Sequence, residues 1–337
     1  MAGSGWTRAV NHGVPARLAA AVCALALAWG APAPAGAGPA ARAATAPLTA
    51  PHRVITLAPS VTELVYAAGA GASIVGTVLH SDYPPAARDI PRVGDGVQPS
   101  DEAVLALRPT LVAAWYPTEA TQALAHRLQP LGIPLVYANP QSLDDIPRLV
   151  RQLGRQLDTA AQADSQARDL QRRIDALGQT RPDAMGQTGA DASRASPPRA
   201  AATADAPPVS VFIEISADPL YTLGNTPLIN DILTRCGGVN PYADSPIAAP
   251  QVSVETVLHL NPQVLIVSPY GHETLAARTR WWADHGLSAA RAGRVYAVNP
   301  DWLHRPGPRL VDAAEVICED LAQGESGARR PSGQPSG

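Results

Sequence analysis

Two glutamates, Glu102 and Glu255, occupy the same place in two closely similar strips, SDEAVLALRPTLV from Ser100 and SVETVLHLNPQVL from Ser253. A carboxylate in the first turn of a helix is favoured by the helix dipole, which by itself accounts for either residue. Two copies of one unit also place equivalent acidic knobs on two lobes, where a symmetric partner could grip both. A second set of residues gathers where open α/β sheets take ligands, at the C-terminal ends of expected strands. His80 and Tyr83 lie in HSDYPP after IVGT, Trp115 and Tyr116 follow LVAA, and Tyr221 follows VFIEIS. Asp301, Trp302 and Arg305 follow VYAV in NPDWLHRPGPR, where Pro306 and Pro308 stiffen the loop. Trp115 also reads as a core filler, Tyr83 as the brace of a turn and His80 as an ordinary surface histidine. The Asp301 to Arg305 loop is harder to dismiss.

No phosphate-cradling glycine loop, HExxH, CxxC or GxSxG occurs, and no carboxylates pair by spacing alone. The pattern points to binding rather than to catalysis, with no catalytic residue, no catalytic cofactor and no dedicated metal site. The net charge is −3, with no basic cluster, which excludes nucleic acid as a partner. All 26 basic residues are arginine, so a single arginine carries less meaning here than usual.

These residues must be positioned by elements readable in the chain. In each duplicated strip the serine caps a short helix, the Val-Leu-x-Leu spacing buries one side, and a proline stops it before an apolar strand. The strands VITL, IVGT, LVAAW and PLVYA alternate with helices in a first lobe, 44–141. VSVFIEIS, VLIVS and RVYAVN do so in a second, 209–322. The expected fold class is α/β, two lobes each with a central, mostly parallel sheet flanked by helices. Residues 142–177 keep helical spacing, with Asp158 as the expected cap of a long helix that joins the lobes. Residues 178–208, rich in Ala, Gly, Ser and Pro, read as a disordered insertion, and 323–337 as a flexible tail.

At the N-terminus, Arg8 and Arg17 precede the apolar LAAAVCALALAWG and small-residue cleavage sites, so 1–43 reads as a signal peptide and the protein as exported. Cys23 leaves with that segment. The remaining pair, Cys236 and Cys318, reads in an oxidising compartment as a disulfide rather than as a metal site or a catalytic thiol.

In combination and in order, RVITLAPSVTEL, SDYPP, LALRPTLVAAW, TRCGGVN, PQVSVETVL and DWLHRPGPR resemble the periplasmic binding proteins of cobalamin ABC importers. These lie within the larger group that binds cobalamin, ferric siderophores and haem. The resemblance implies the class III periplasmic binding protein fold, a monomer with two lobes joined by one rigid helix and a ligand in the cleft. It implies docking of Glu102 and Glu255 to an inner-membrane ABC permease dimer with its ATPase subunits. It places Cys236 and Cys318 on the family's disulfide. It gives Trp115, Tyr221, Asp301, Trp302 and Arg305 roles in holding a corrinoid. His80 stands where the family has a tyrosine, which makes it a possible axial ligand to a metal in the bound molecule. Two further pocket tryptophans fall on Gly96 and Ala249. The alternatives are a haem or ferric-siderophore binding protein of the same fold, an exported corrinoid-modifying enzyme, and a sensor subunit.

Overall fold

The computed structural model describes residues 51–179, 207–268 and 274–328. The expected signal peptide, nearly all of the insertion and the end of the tail lie outside them. A first sheet of parallel strands is built from β1 (Val54–Thr56), β2 (Ile74–Gly76), β3 (Leu111–Ala114) and β4 (Leu135–Tyr137), in the order β2-β1-β3-β4. Helices α1 (Pro59–Ala67), α2 (Asp101–Ala106) and α3 (Glu119–Leu128) connect them. The second sheet has β5 (Val209–Ala217), β6 (Leu220–Thr222), β8 (Val264–Val267) and β9 (Val295–Ala297) in the order β6-β5-β8-β9. The short β7 (Gly238–Val239) pairs with the start of β5, and β6 alone is antiparallel. Its helices are α6 (Pro227–Arg235), α7 (Val254–Leu260), α8 (Leu275–Asp284), α9 (Ser288–Arg291), α10 (Pro300–Leu303) and α11 (Leu310–Ala328). The last helix runs into the segment that reads as a tail.

Both sheets are buried on both faces, as continuous apolar strands require. Alternation along the strands divides their side chains between cores. Val54, Leu111, Ala113, Val211, Ile213, Val264 and Ile266 join one central cluster. Ile55, Val112 and Ala114 join an outer cluster of the first lobe, and Phe212, Leu265 and Val267 one of the second. The central cluster is continuous from sheet to sheet through α1, α6, α11 and the connecting helices α4 (Asp145–Gln156) and α5 (Ala160–Ala176).

The connection between lobes is thus a packed helix pair rather than a single rod. At 17 residues, α5 is about 26 Å long at 1.5 Å per residue. It crosses α4 so closely that a Cβ on Gly154 would stand 2.2 Å from that of Ala163. The expected cap at Asp158 does not form. Asp158 takes φ 57°, its carboxylate meets His52 Nε2 at 3.0 Å, and Thr159 precedes α5 without a side-chain cap.

Polar ties fasten the connecting segment to the second lobe. Leu143 donates its N–H to Asp231 at 2.8 Å, Arg235 binds Asp144 at 2.7 Å, and Arg173 of α5 binds Asp312 and Glu315 of α11 at 2.5 and 2.6 Å. The disulfide forms between Cys236, at the end of α6, and Cys318 in α11. Closing a loop with a sequence separation of 82 contributes about 4 kcal/mol in the chain-entropy model.

A further tie lies beside the strand ends. Glu63, on α1 and 2% exposed, receives Arg309 Nε at 2.9 Å and Nη2 at 2.6 Å from the other lobe. The loop before α11 approaches α1 so closely that a Cβ on Gly307 would lie 3.3 Å from the carbonyl oxygen of Ser60. Burial pushes the Glu63 carboxyl up, against the hydrogen bonds and charge of Arg309 and Arg305 that favour its ionised form. Breaking a buried pair from one side leaves the other charge uncompensated, whereas replacing both members by apolar groups is far milder. Glu63→Gln is therefore expected to cost about 3–5 kcal/mol in urea denaturation, and Glu63→Met with Arg309→Met to recover most of it. Additive losses in the double variant would contradict this.

Candidate ligand-binding cleft

The loop after β2 is held in place by hydroxyls. Thr56, Thr62 and Thr77 lie within 2.7–2.9 Å of one another through their Oγ1 atoms, and Thr62 donates to Ser81 at 3.3 Å, all fully or almost fully buried. Arg92 adds bonds to the carbonyls of Ser81 at 3.1 Å and Ile90 at 2.7 Å. This anchoring leaves His80 exposed at φ 63° and presents Asp82 and Tyr83 to the other lobe.

From the second lobe, Asn299 caps α10 by accepting the Asp301 N–H at 2.8 Å, which sets Asp301 and Trp302 on a short rigid turn. Arg305 follows, 14% exposed. Its Nη1 reaches Asp82 Oδ1 at 2.7 Å and Glu63 Oε1 at 3.7 Å, and its Nη2 reaches Asp301 Oδ1 at 2.9 Å. The guanidinium of Arg309 lies 4.1 Å from the ring centroid of Tyr83, a cation–π contact. Burial raises the Asp82 carboxyl, but the hydrogen bond and charge of Arg305 outweigh it and hold it below its usual value.

The structure thus brings together Tyr83, Asp301 and Arg305 of the sequence-derived set, with His80 on the same loop as Tyr83. Trp302 packs against the central core. Trp115 stands at the end of β3, half-buried, with Tyr116 edge-on at 4.7 Å. Its indole N–H is buried and has no hydrogen-bond partner among the described residues. Tyr221 is half-buried on β6, bridged to Gln251. Glu63, Asp82 and Arg309 complete the cluster without having been singled out in the sequence. The one signal for Glu63 is a carboxylate among Val61, Leu64 and Val65 on a short apolar helix.

Chemically, the cluster offers guanidinium donors beside carboxylate acceptors. Asp82 and Asp301 keep 47% and 45% of their side chains exposed. That pairing suits a ligand rich in primary amides, each of which presents both N–H and C=O. Among the described residues, no His, Cys, Asp and Glu cluster to hold a metal ion.

Glu102 and Glu255 lie away from this chemistry. Each is exposed in the first turn of its helix, α2 or α7. Ser100 accepts the Ala103 N–H at 3.3 Å and Ser253 the Thr256 N–H at 3.2 Å, and Val104 and Val257 are fully buried. Both helices are followed by a residue of left-handed conformation, Arg108 at φ 46° and Asn261 at φ 43°. The duplication seen in the sequence is therefore a duplication of local structure.

The periplasmic binding protein family model matches residues 54–190. A vitamin B12-binding protein from Pectobacterium carotovorum is 35% identical over 277 residues, 82% of this chain and 91% of the relative. The crystal structure of the periplasmic vitamin B12 binding protein of Vibrio cholerae superposes with a TM-score of 0.66 at 32% identity, covering 81% of this chain and 98% of that one. A periplasmic haem binding protein of Vibrio cholerae shares the fold with a TM-score of 0.62 at 19% identity, covering 80% of this chain and 98% of that one. Carrying this fold, and matching a vitamin B12-binding relative along most of both sequences, the chain belongs to the periplasmic binding protein family.

Proposed function

We propose that this protein binds cobalamin or a closely related corrinoid in the periplasm and delivers it to an inner-membrane ABC permease dimer with its ATPase subunits. The observation that carries this reading is the strand-end cluster of Asp82, Asp301, Arg305 and Tyr83, in a chain 35% identical to a vitamin B12-binding protein. Corrin rings are fringed with amide side chains, and the mixed donors and acceptors of the cluster suit amides. The protein acts as a carrier rather than an enzyme, a reading supported by its family of periplasmic binding proteins and its vitamin B12-binding relatives.

Haem is the second reading, and His80 is the observation that favours it: an exposed imidazole on the same loop as Asp82 and Tyr83 could ligate iron. Titration of the purified, ligand-free protein with cyanocobalamin, cobinamide and hemin separates the two. Tight one-to-one binding of a corrinoid with weak hemin binding is expected. Tight hemin binding, with a Soret shift lost in His80→Ala, would move the protein to haem uptake.

Delivery would use Glu102 and Glu255, which project from matching helices and so fit a partner with two equivalent basic sites. The Glu255 carboxyl is held below its usual value by hydrogen bonds from its own backbone and from Ser253, so it is charged at neutral pH. Glu102→Ala and Glu255→Ala are each expected to weaken binding to the permease by about tenfold or more, without altering corrinoid affinity. Normal import by the double variant would reduce both residues to helix-dipole partners.

A further inference from the structure

The first sheet has a switch point between β1 and β3. From β1 the chain steps to β2 on one side, then returns to β3 on the other. Loops leaving two neighbouring parallel strands in opposite directions open a gap at their C-terminal ends, and ligands enter α/β sheets there. In this protein the gap is a recess of about 350 Å³, within the roughly 300–1,000 Å³ of small-molecule sites. It opens on the strand edge that carries Trp115, but it is lined by none of the clustered ion-pair residues.

Two aspects of its wall define what it takes. The rings of Trp115 and Tyr116 meet at 87° with centroids 4.7 Å apart, so they offer apolar surfaces at right angles to a flat group. Gly96 also lines the recess, at φ 97°, where a Cβ would approach nothing nearer than Val78 at 3.6 Å. There is room beside Gly96, yet its backbone conformation disfavours any side chain, so the recess stays open.

Charge narrows the choice further. Glu119 and Gln98 line the recess, and no arginine or histidine does so among the described residues. A carboxylate without a neighbouring cation repels phosphate and carboxylate groups and accepts hydrogen bonds from neutral amino and hydroxyl groups. Thr118 is already engaged in capping α3, through the Thr121 N–H at 3.1 Å. A flat, uncharged group that bears amino and hydroxyl donors, such as a nucleoside, satisfies all these surfaces.

We infer that the recess between β1 and β3 is a specificity subsite for a nucleoside substituent on one axial face of the corrinoid. The protein therefore prefers an adenosyl group on cobalt to a cyanide. This rests on the corrinoid reading. The phosphodiester of a corrinoid's own nucleotide loop is excluded from the recess, which holds no cation to receive it.

The test is a calorimetric titration of the full protein, in the dark, with adenosylcobalamin and with cyanocobalamin. The adenosyl form is expected to bind about tenfold tighter or more, the scale of one base stacked on an aromatic ring. Ala120→Phe places a ring into the recess from the first turn of α3, and it is expected to bring the ratio of the two affinities close to one. Glu119→Gln, a same-size change at an exposed position, is expected to reduce the ratio about threefold and keeps the test open if Ala120→Phe does not fold. Equal affinities in the unaltered protein, or a ratio that neither variant changes, would overturn the subsite and leave the corrinoid reading standing. Failure of both corrinoids to bind would overturn both.

Discussion

The carboxylate of Glu63 is nearly inaccessible to water, and both of its strong partners come from the other lobe. An ion so placed is tolerated only while its counter-ions remain. Opening the lobes would take Arg309 and Arg305 away from Glu63 and break both ion pairs. The clasp therefore resists separation beside the strand ends, while Asp144, Asp231 and Arg173 fasten the connecting helices to the second lobe. Between these ties runs a single apolar cluster shared by both sheets. Hinge motion wide enough to engulf a ligand would have to break that cluster, whereas the helix pair α4 and α5 gives it no flexible linker to turn on.

A cleft held in this way meets its ligand with groups already oriented. Arg305 spans Asp82 of one lobe and Asp301 of the other stretch of the same cluster, so its N–H groups are fixed before binding. Fixed donors lose little conformational freedom when a ligand arrives, which favours affinity. The hydroxyl cluster of Thr56, Thr62, Thr77 and Ser81 serves the same end one layer deeper, since it holds the loop that carries Asp82 and Tyr83.

What could be read in the sequence was local. The strip repeated at Ser100 and Ser253 carried cap, buried valine and stop within a few residues, and it folds the same way twice. Strands buried on both faces announced themselves as apolar runs, and an even cysteine pair in an exported chain announced the disulfide. What escaped depended on partners far along the chain. Glu214 sits inside an apolar strand because Arg278, at 2.5 Å, and Trp282 Nε1, at 2.6 Å, reach it from α8, an element the sequence reading did not identify. Glu63 meets an arginine 246 positions away. The strands β6 and β7 are only three and two residues long and exist through their pairing with β5. Asp158 had the right type for a cap, but the turn between α4 and α5 required a left-handed residue there and gave its carboxylate to His52.

The central claim is that the lobes are held at their working separation before any ligand enters. Small-angle X-ray scattering of the protein with and without saturating cyanocobalamin tests it most directly. Superimposable curves, with an unchanged radius of gyration, are the predicted result. A clear contraction on binding would mean that the lobes stand apart in solution and that the clasp closes only around the ligand.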